Sequence, residues 1–305
     1  MSARELVALG TASQVPTRYR NHNGYLLRWD GVGLLFDPGE GTQRQMVIHG
    51  VAAHDLHHVL VTHFHGDHCL GLAGLIQRIS LDRVPHPVRI HYPASGQVFF
   101  DRLRHASIFR DHSILEPRPV QEPGEIAREE DFSLHTLPLD HGVPSWGYRL
   151  QEKDGRRMLP ERLRALGLRG RAIGELVAQG EVEHEGARIR VEDVSVPRPG
   201  QSVAFVMDTR LCDNAFRLAS GVDLLICEST FLTSEAREAR QHGHMTAAQA
   251  GRVAREAGAR RLVLTHFSQR YPDIRRFLEE ALVEHDDVVA VCDGDVVEVP
   301  KRAKD

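Results

Sequence analysis

Val59-Leu60-Val61-Thr62-His63-Phe64-His65-Gly66-Asp67-His68 is the stretch on which the reading of this chain turns. Its apolar, β-branched opening marks a buried strand, which stops at Thr62; four potential metal ligands then fall within six residues. A strand end followed by a tight loop is a rigid mount for a cation. His63 and His65 sit two apart, so a turning backbone aims both imidazoles at one ion. Asp67 and His68 are adjacent and need not point the same way, which suits a second ion alongside the first. An isolated His-X-His would be ordinary loop composition in a chain carrying 19 histidines. His-X-His-X-Asp-His directly after an apolar strand points to a metal centre.

The 305-residue length fits one large layered α/β unit with a substantial core, so a single domain over 1–305 is expected. A hydrophobic fraction of 41% with 26% charged residues excludes disorder or fibre as the main state. The net charge of −4 gives no global attraction to nucleic acid, so any RNA binding needs a local basic patch. Cys69, Cys212, Cys227 and Cys292 are far apart with no Cys-X-X-Cys pair. That pattern suggests neither a thiolate zinc site nor a disulfide framework, and fits reduced thiols in a cytoplasm. No secretory pattern opens the chain and no apolar run approaches the roughly 18 residues of a membrane span, so a cytoplasmic protein without membrane contact is expected.

Working outward, residues 6–9 read as a short strand, and 24–29 with 33–36 as an antiparallel pair turned at Asp30-Gly31. Between them Arg18, Tyr19, Arg20 and Asn21 form a polar loop, whose guanidiniums suit a phosphate clamp as well as a plain solvated loop. Asp37, at the next strand end, is placed to support a metal ligand. Gly41-Thr42 starts a helix that Gly50 ends. Residues 70–81 read as a helix whose first turn carries Asp67 and His68, and a strand at 88–92 and helix at 95–109 follow. The strand–helix alternation argues for α/β layering. Strand 132–139 leads to His141, strand 203–207 to Asp208, and strand 261–265 to His266, so ligand-type residues recur at strand ends. A carboxylate has two acceptor oxygens, and Asp208 is thereby able to bridge two metals. Thr246 caps a helix to Ala257, and 272–285 with 288–292 read as a last helix and strand. The segment 153–200 is rich in Arg and Gly and sparse in apolar positions, which reads as an inserted arm carrying a basic surface.

Residues 62–68 carry the signature of the metallo-β-lactamase superfamily, with its later motifs at His141, Asp208 and His266. Within that superfamily the chain resembles the ribonuclease Z family of tRNA 3′-processing endoribonucleases. Leu9-Gly10-Thr11, Pro16-Thr17-Arg18-Tyr19-Arg20-Asn21, Phe36-Asp37-Pro38-Gly39-Glu40-Gly41-Thr42-Gln43, His141-Gly142-Val143-Pro144, Asp208-Thr209-Arg210 and His266-Phe267-Ser268-Gln269-Arg270-Tyr271 carry the likeness. It implies a four-layer αβ/βα sandwich with a projecting arm, a homodimer, and precursor tRNA as partner. It also implies two Zn2+ per chain, with Mn2+ a workable substitute. His63, His65, His141 and Asp208 would hold one ion, and Asp67, His68, Asp208 and His266 the other. Asp67 would accept a proton, His244 would act as general acid, and Arg18, Arg20 and Asn21 would contact substrate. The implied reaction removes the 3′ trailer, leaving a 3′-hydroxyl on tRNA and a 5′-phosphate on the trailer. The chain departs from the family pattern at Met245, which follows His244 in place of Ser, at Cys227-Glu228-Ser229-Thr230, and in the arm. A different metal-dependent phosphodiesterase or hydrolase of the superfamily, acting on small substrates, is the alternative; a non-catalytic RNA-binding protein is a more distant one.

Overall fold

The computed structural model describes residues 3–302. Two seven-stranded sheets lie face to face. The first runs, edge to edge, through Val296–Glu298, Arg4–Gly10, Gly24–Trp29, Val32–Phe36, Leu56–Leu60, Val88–Pro93 and Leu115–Val120. The second runs through Val288–Ala290, Arg261–Thr265, Leu224–Glu228, Ser202–Val206, Ser145–Glu152, Phe132–Leu139 and Gly124–Arg128. Alternate side chains of both sheets meet between them, where Phe36 stacks on Phe205 at 4.5 Å and Tyr25 lies 5.4 Å from the same ring. Helices Thr42–Ile48, Leu72–Leu81 and Gln97–Arg104 cover the outer face of the first sheet. Asp213–Ala219, Ala247–Ala257 and Arg275–Leu282 cover the second. The result is an αβ/βα sandwich.

What this arrangement does for the site follows from strand direction. Val32–Phe36, Leu56–Leu60 and Val88–Pro93 are parallel neighbours, as are Ser202–Val206, Leu224–Glu228 and Arg261–Thr265. Parallel neighbours end on the same edge, which is where open α/β sheets gather functional groups. Asp37, the 62–68 loop, Asp208, Glu228 and His266 therefore arrive together. Two hydrogen bonds cross from the second sheet to the root of the loop: Tyr148 Oη donates to Val61 O at 2.8 Å, and Trp146 N donates to Thr62 O at 3.0 Å.

Several elements differ from the sequence expectation. The helix expected over 70–81 is split, with Asp67 and His68 in a separate turn Gly66–Cys69 and a new start at Leu72. Gly71 sits at the break because its N–H donates to Pro38 O, and a Cβ there would lie 2.0 Å from Gly39 O. The helix expected to reach Phe109 ends at Arg104. The last helix begins at Arg275 rather than Pro272, with the Asp273 carboxylate accepting from Arg275 N at 2.9 Å. Leu115–Val120 reads poorly as a strand because of Pro117 and Pro119, and it lies at a sheet edge, where missing N–H donors are tolerated. Within the arm, Gly155–Met158 pairs antiparallel with Ser195–Arg198 outside both main sheets. Beyond this ribbon Leu163, Leu168, Leu176, Ile189, Val191 and Val194 form a small core, so the sparse apolar positions converge. No helix among the described residues is long and apolar enough to cross a membrane.

Two histidines unconnected with the site lie inside the sandwich: His58 Nδ1 is 3.2 Å from His91 Nε2, and both residues are buried. Burial pushes their pKa values down, to about 3 for His58 and about 4 for His91. A depressed folded-state value means that stability is complete above the unfolded pKa and is lost as pH falls toward the folded one. Each neutral imidazole then loses about 2 kcal/mol of its contribution by pH 5. Thermal melts from pH 7 to pH 4.5 are expected to fall more steeply for the wild type than for the His58→Leu/His91→Leu variant; parallel curves would show that the pair does not govern acid sensitivity.

Candidate metal centre

The strand ends deliver their side chains through unusual backbone. Asp37, Asp208 and His266 all have positive φ, at 44°, 29° and 61°. Such conformations are costly for residues with a side chain and persist only where the surroundings impose them. Here the compensation is hydrogen bonding. Asp37 accepts from Thr62 N at 2.7 Å and Thr62 Oγ1 at 2.8 Å, which locks the first residue of the loop.

Four of the histidines, His63, His68, His141 and His266, are held at Nδ1 and turn Nε2 toward the cluster. His68 Nδ1 donates to Asp37 at 2.8 Å, and His141 Nδ1 donates to Gly243 O at 2.9 Å. His63 Nδ1 lies 3.0 Å from Thr62 Oγ1, and His266 Nδ1 lies 2.7 Å from Thr230 Oγ1. Both hydroxyls donate onward to carboxylates, Thr62 to Asp37 and Thr230 to Glu228, so both accept from the imidazole N–H. The orientation follows: with Nδ1 engaged outside, Nε2 of all four rings faces inward. This is the pattern by which outer partners orient metal-binding imidazoles.

Donor atoms on a tetrahedral zinc ion, at bonds of about 2.0–2.1 Å, lie about 3.3 Å apart. The atoms here match that edge. His65 Nδ1 is 3.0 Å from His63 Nε2 and 3.3 Å from His141 Nε2; Asp208 Oδ2 is 3.5 Å from His63 Nε2 and 3.7 Å from His141 Nε2. In a second group Asp67 Oδ2 is 3.4 Å from His68 Nε2 and 3.5 Å from His266 Nε2. Asp208 faces this group too, Oδ2 at 3.4 Å from His68 and Oδ1 at 3.2 Å from His266. Asp208 Oδ1 and His266 Nε2 are buried without a hydrogen-bond partner. Two bare polar atoms facing each other away from water cost a few kcal/mol, and a cation between them removes that cost. The donor set therefore fits a divalent metal, and the protein is a divalent-metal binder of this fold.

The predicted residues His63, His65, Asp67, His68, His141, Asp208 and His266 thus lie in one cluster. His244 lies at its rim, its ring 5.3 Å from His141 and 5.4 Å from His266. Glu228, for which no role was expected from its sequence position, holds it: Oε1 accepts from His244 Nδ1 at 3.0 Å. Burial opposes a charge on His244, but Glu228 and Asp208 outweigh it and raise its pKa to about 9. Glu228 also accepts from Thr209 N at 2.7 Å and Thr230 Oγ1 at 2.6 Å, so it touches the neighbours of both Asp208 and His266. Its signal was the one read elsewhere, an apolar strand ending in an acid. Asn23 is a further buried neighbour, its Nδ2 3.1 Å from His68 Nε2.

The loop expected to contact substrate places its three residues differently. Arg20 is buried, and its Nη2 donates to Tyr271 O at 2.9 Å and Ser268 O at 3.2 Å, so it staples the loop to the segment after His266. The Asn21 side chain donates to Glu40 O and His22 O, and its backbone N–H donates to Asp293. Of the three, Arg18 alone is exposed. The loop also reaches the cluster directly, because Gln14 N donates to Asp67 Oδ2 at 2.7 Å.

Residues 17–149 match the metallo-beta-lactamase superfamily model, and residues 176–267 a beta-lactamase superfamily domain. The chain is 61% identical over 281 residues to a protein of Streptomyces avermitilis named Ribonuclease Z, covering 92% of both. It is 57% identical to the protein of that name from Streptomyces coelicolor, covering 99% of this chain and 100% of the relative. Among solved structures, the short form of human tRNase Z superposes with a TM-score of 0.73 at 24% identity, covering 97% of this chain and 100% of that one. A metallo-beta-lactamase fold protein of Bacillus subtilis gives 0.71 at 20% identity over 98% and 100%.

Gly243 couples the rim to the cluster: its φ is 79°, its carbonyl holds His141, and a Cβ would lie 2.8 Å from His141 Nδ1. Gly243→Ala is expected to displace His141 and lower bound metal per chain, read by elemental analysis after dialysis, with a folded circular-dichroism spectrum. Wild-type metal content in this variant would show that the glycine is dispensable.

Proposed function

Because the chain belongs to the ribonuclease Z family, we propose that it is a metal-dependent endoribonuclease that removes the 3′ trailer from tRNA precursors. The products are a tRNA ending in a 3′-hydroxyl and a trailer beginning with a 5′-phosphate. The observation that carries the reading is the convergence of two donor groups on the single carboxylate of Asp208. Two zinc ions are the proposed cofactors, with manganese a workable substitute since imidazole and carboxylate accept either. His63, His65, His141 and Asp208 would hold one; Asp67, His68, Asp208 and His266 would hold the other. When bound, such ions lower the pKa of water and stabilise negative charge gathering on phosphate oxygens.

The chain's own groups handle the protons and the substrate. Asp67, steadied by Gln14 N–H, accepts the proton that the attacking water loses. The P–O3′ bond breaks, and His244, kept protonated and oriented by Glu228, donates to the departing 3′-oxygen. Glu228 keeps the proton on Nδ1 and leaves Nε2 for that transfer. Contact with tRNA is assigned to Arg18 and to the exposed cations of the arm, Arg157, Arg164 and Arg169 among them. The reading extends to a cytoplasmic homodimer.

A 3′-extended tRNA transcript is expected to be cut once, at the end of the mature tRNA, and not at all after chelation; cleavage unaffected by chelator would overturn the metal-dependent reading. Asp208→Ala is expected to lose both metals and at least 1000-fold in rate, whereas His141→Ala keeps one metal. Equal metal content in the two variants would sink the bridging role. The arm is testable through its ribbon, since Met158 and Ser195 are paired and a short turn can join them. Replacing 159–194 by that turn is expected to impair tRNA cleavage while hydrolysis of bis-p-nitrophenyl phosphate persists. Equal loss of both activities would assign the arm to folding.

A further inference from the structure

With Arg20 and Asn21 turned inward, the loop presents Tyr19. Its side chain is 81% exposed, and neither ring nor hydroxyl meets a partner among the described residues. A single exposed aromatic is unremarkable on a mobile surface, but this one stands on a fixed turn. Thr17 N donates to Arg20 O at 2.8 Å, closing the turn, and Thr17 Oγ1 accepts from Arg20 N at 3.0 Å and Tyr19 N at 3.2 Å. The Arg20 staple fastens one end to the segment that follows His266, and the Gln14 contact fastens the other to Asp67. One anchor thus lies on Asp67 of the metal cluster and the other on the segment two to five residues beyond His266, with Tyr19 on the turn and exposed Arg18 beside it.

We propose that Tyr19 is a stacking platform for an unpaired nucleobase next to the scissile phosphate, positioning the strand while Arg18 meets its backbone; the proposal rests on the tRNA-processing reading above. An aromatic face with a neighbouring guanidinium is the usual means of holding single-stranded RNA, and it tolerates any base because every base has a π-face. A rigid platform suits this task because the ordering cost of the loop is met before substrate arrives. Stacking also accounts for a ring on a loop that otherwise offers one cation.

The test uses the metal-loaded full-length protein and a 3′-extended tRNA with 2-aminopurine at the last nucleotide of the mature tRNA or the first of the trailer, across an uncleavable linkage. Wild type and Tyr19→Phe are expected to quench the fluorophore at one of these positions, and Tyr19→Ala not to. With cleavable tRNA, Tyr19→Ala is expected to raise KM roughly tenfold with a far smaller change in kcat, and Tyr19→Phe to restore KM. Quenching and KM unmoved in Tyr19→Ala, with wild-type cleavage intact, overturn the inference alone. A change of oligomeric state in Tyr19→Ala with quenching retained overturns it in favour of a protein contact. A wild-type protein that neither binds nor cuts the tRNA overturns the proposed function and this inference with it.

Discussion

The carboxylate of Asp208, buried among His63, His68, His141 and His266, is the contact on which the rest of the molecule depends. A buried carboxylate needs positive charge beside it, and the hydrogen bonds to the outer nitrogens aim four imidazoles at the same space. The cluster is therefore built to take up cations. Two sheets are needed to make it: Asp208 and His266 come from one, the 62–68 loop from the other, and Tyr148 and Trp146 tie the two together beneath the loop.

The same hydrogen bonds relate the strained backbone to the chemistry. Positive φ at Asp37, Asp208 and His266 turns the chain just after a strand ends and aims their side chains into the buried cluster, and Asp37 and Glu228 each satisfy several donors at once. The two carboxylates stand in corresponding places under the two halves of the cluster. Asp37 sets His63 through Thr62 and sets His68 directly; Glu228 sets His266 through Thr230 and His244 directly. The metal cluster and the proposed acid thus share one scaffold, and Glu228 joins them.

Recognition is separate from this centre. The chain carries net charge −4 and yet is assigned a polyanionic substrate, which places attraction in local features. One is the arm, joined by a two-stranded ribbon and carrying its own small core, so that its charges can vary without disturbing the sandwich. The other is the 14–21 loop, fastened at one end to Asp67 of the cluster and at the other to the segment after His266, with Arg18 and Tyr19 exposed.

The α/β layering, most strand ends and the seven candidate ligands were legible in the sequence because each signal is local: an apolar β-branched run, then a stop, then His or Asp. Glu228 carried the same signal and was not distinguished, since an acid at a strand end is equally a solvated residue until something is seen to face it. Arg20 shows the opposite case. Its side chain was read as free because its partners, the carbonyls of Ser268 and Tyr271, are some 250 residues away, at |i−j| of 248 and 251. Backbone carbonyls leave no mark in composition or spacing. The sequence by itself determined which residue types stand at the ends of which strands. Only the tertiary structure decided which of them face one another, because that depends on parallel strands ending at one edge and on hydrogen bonds between residues far apart in the chain.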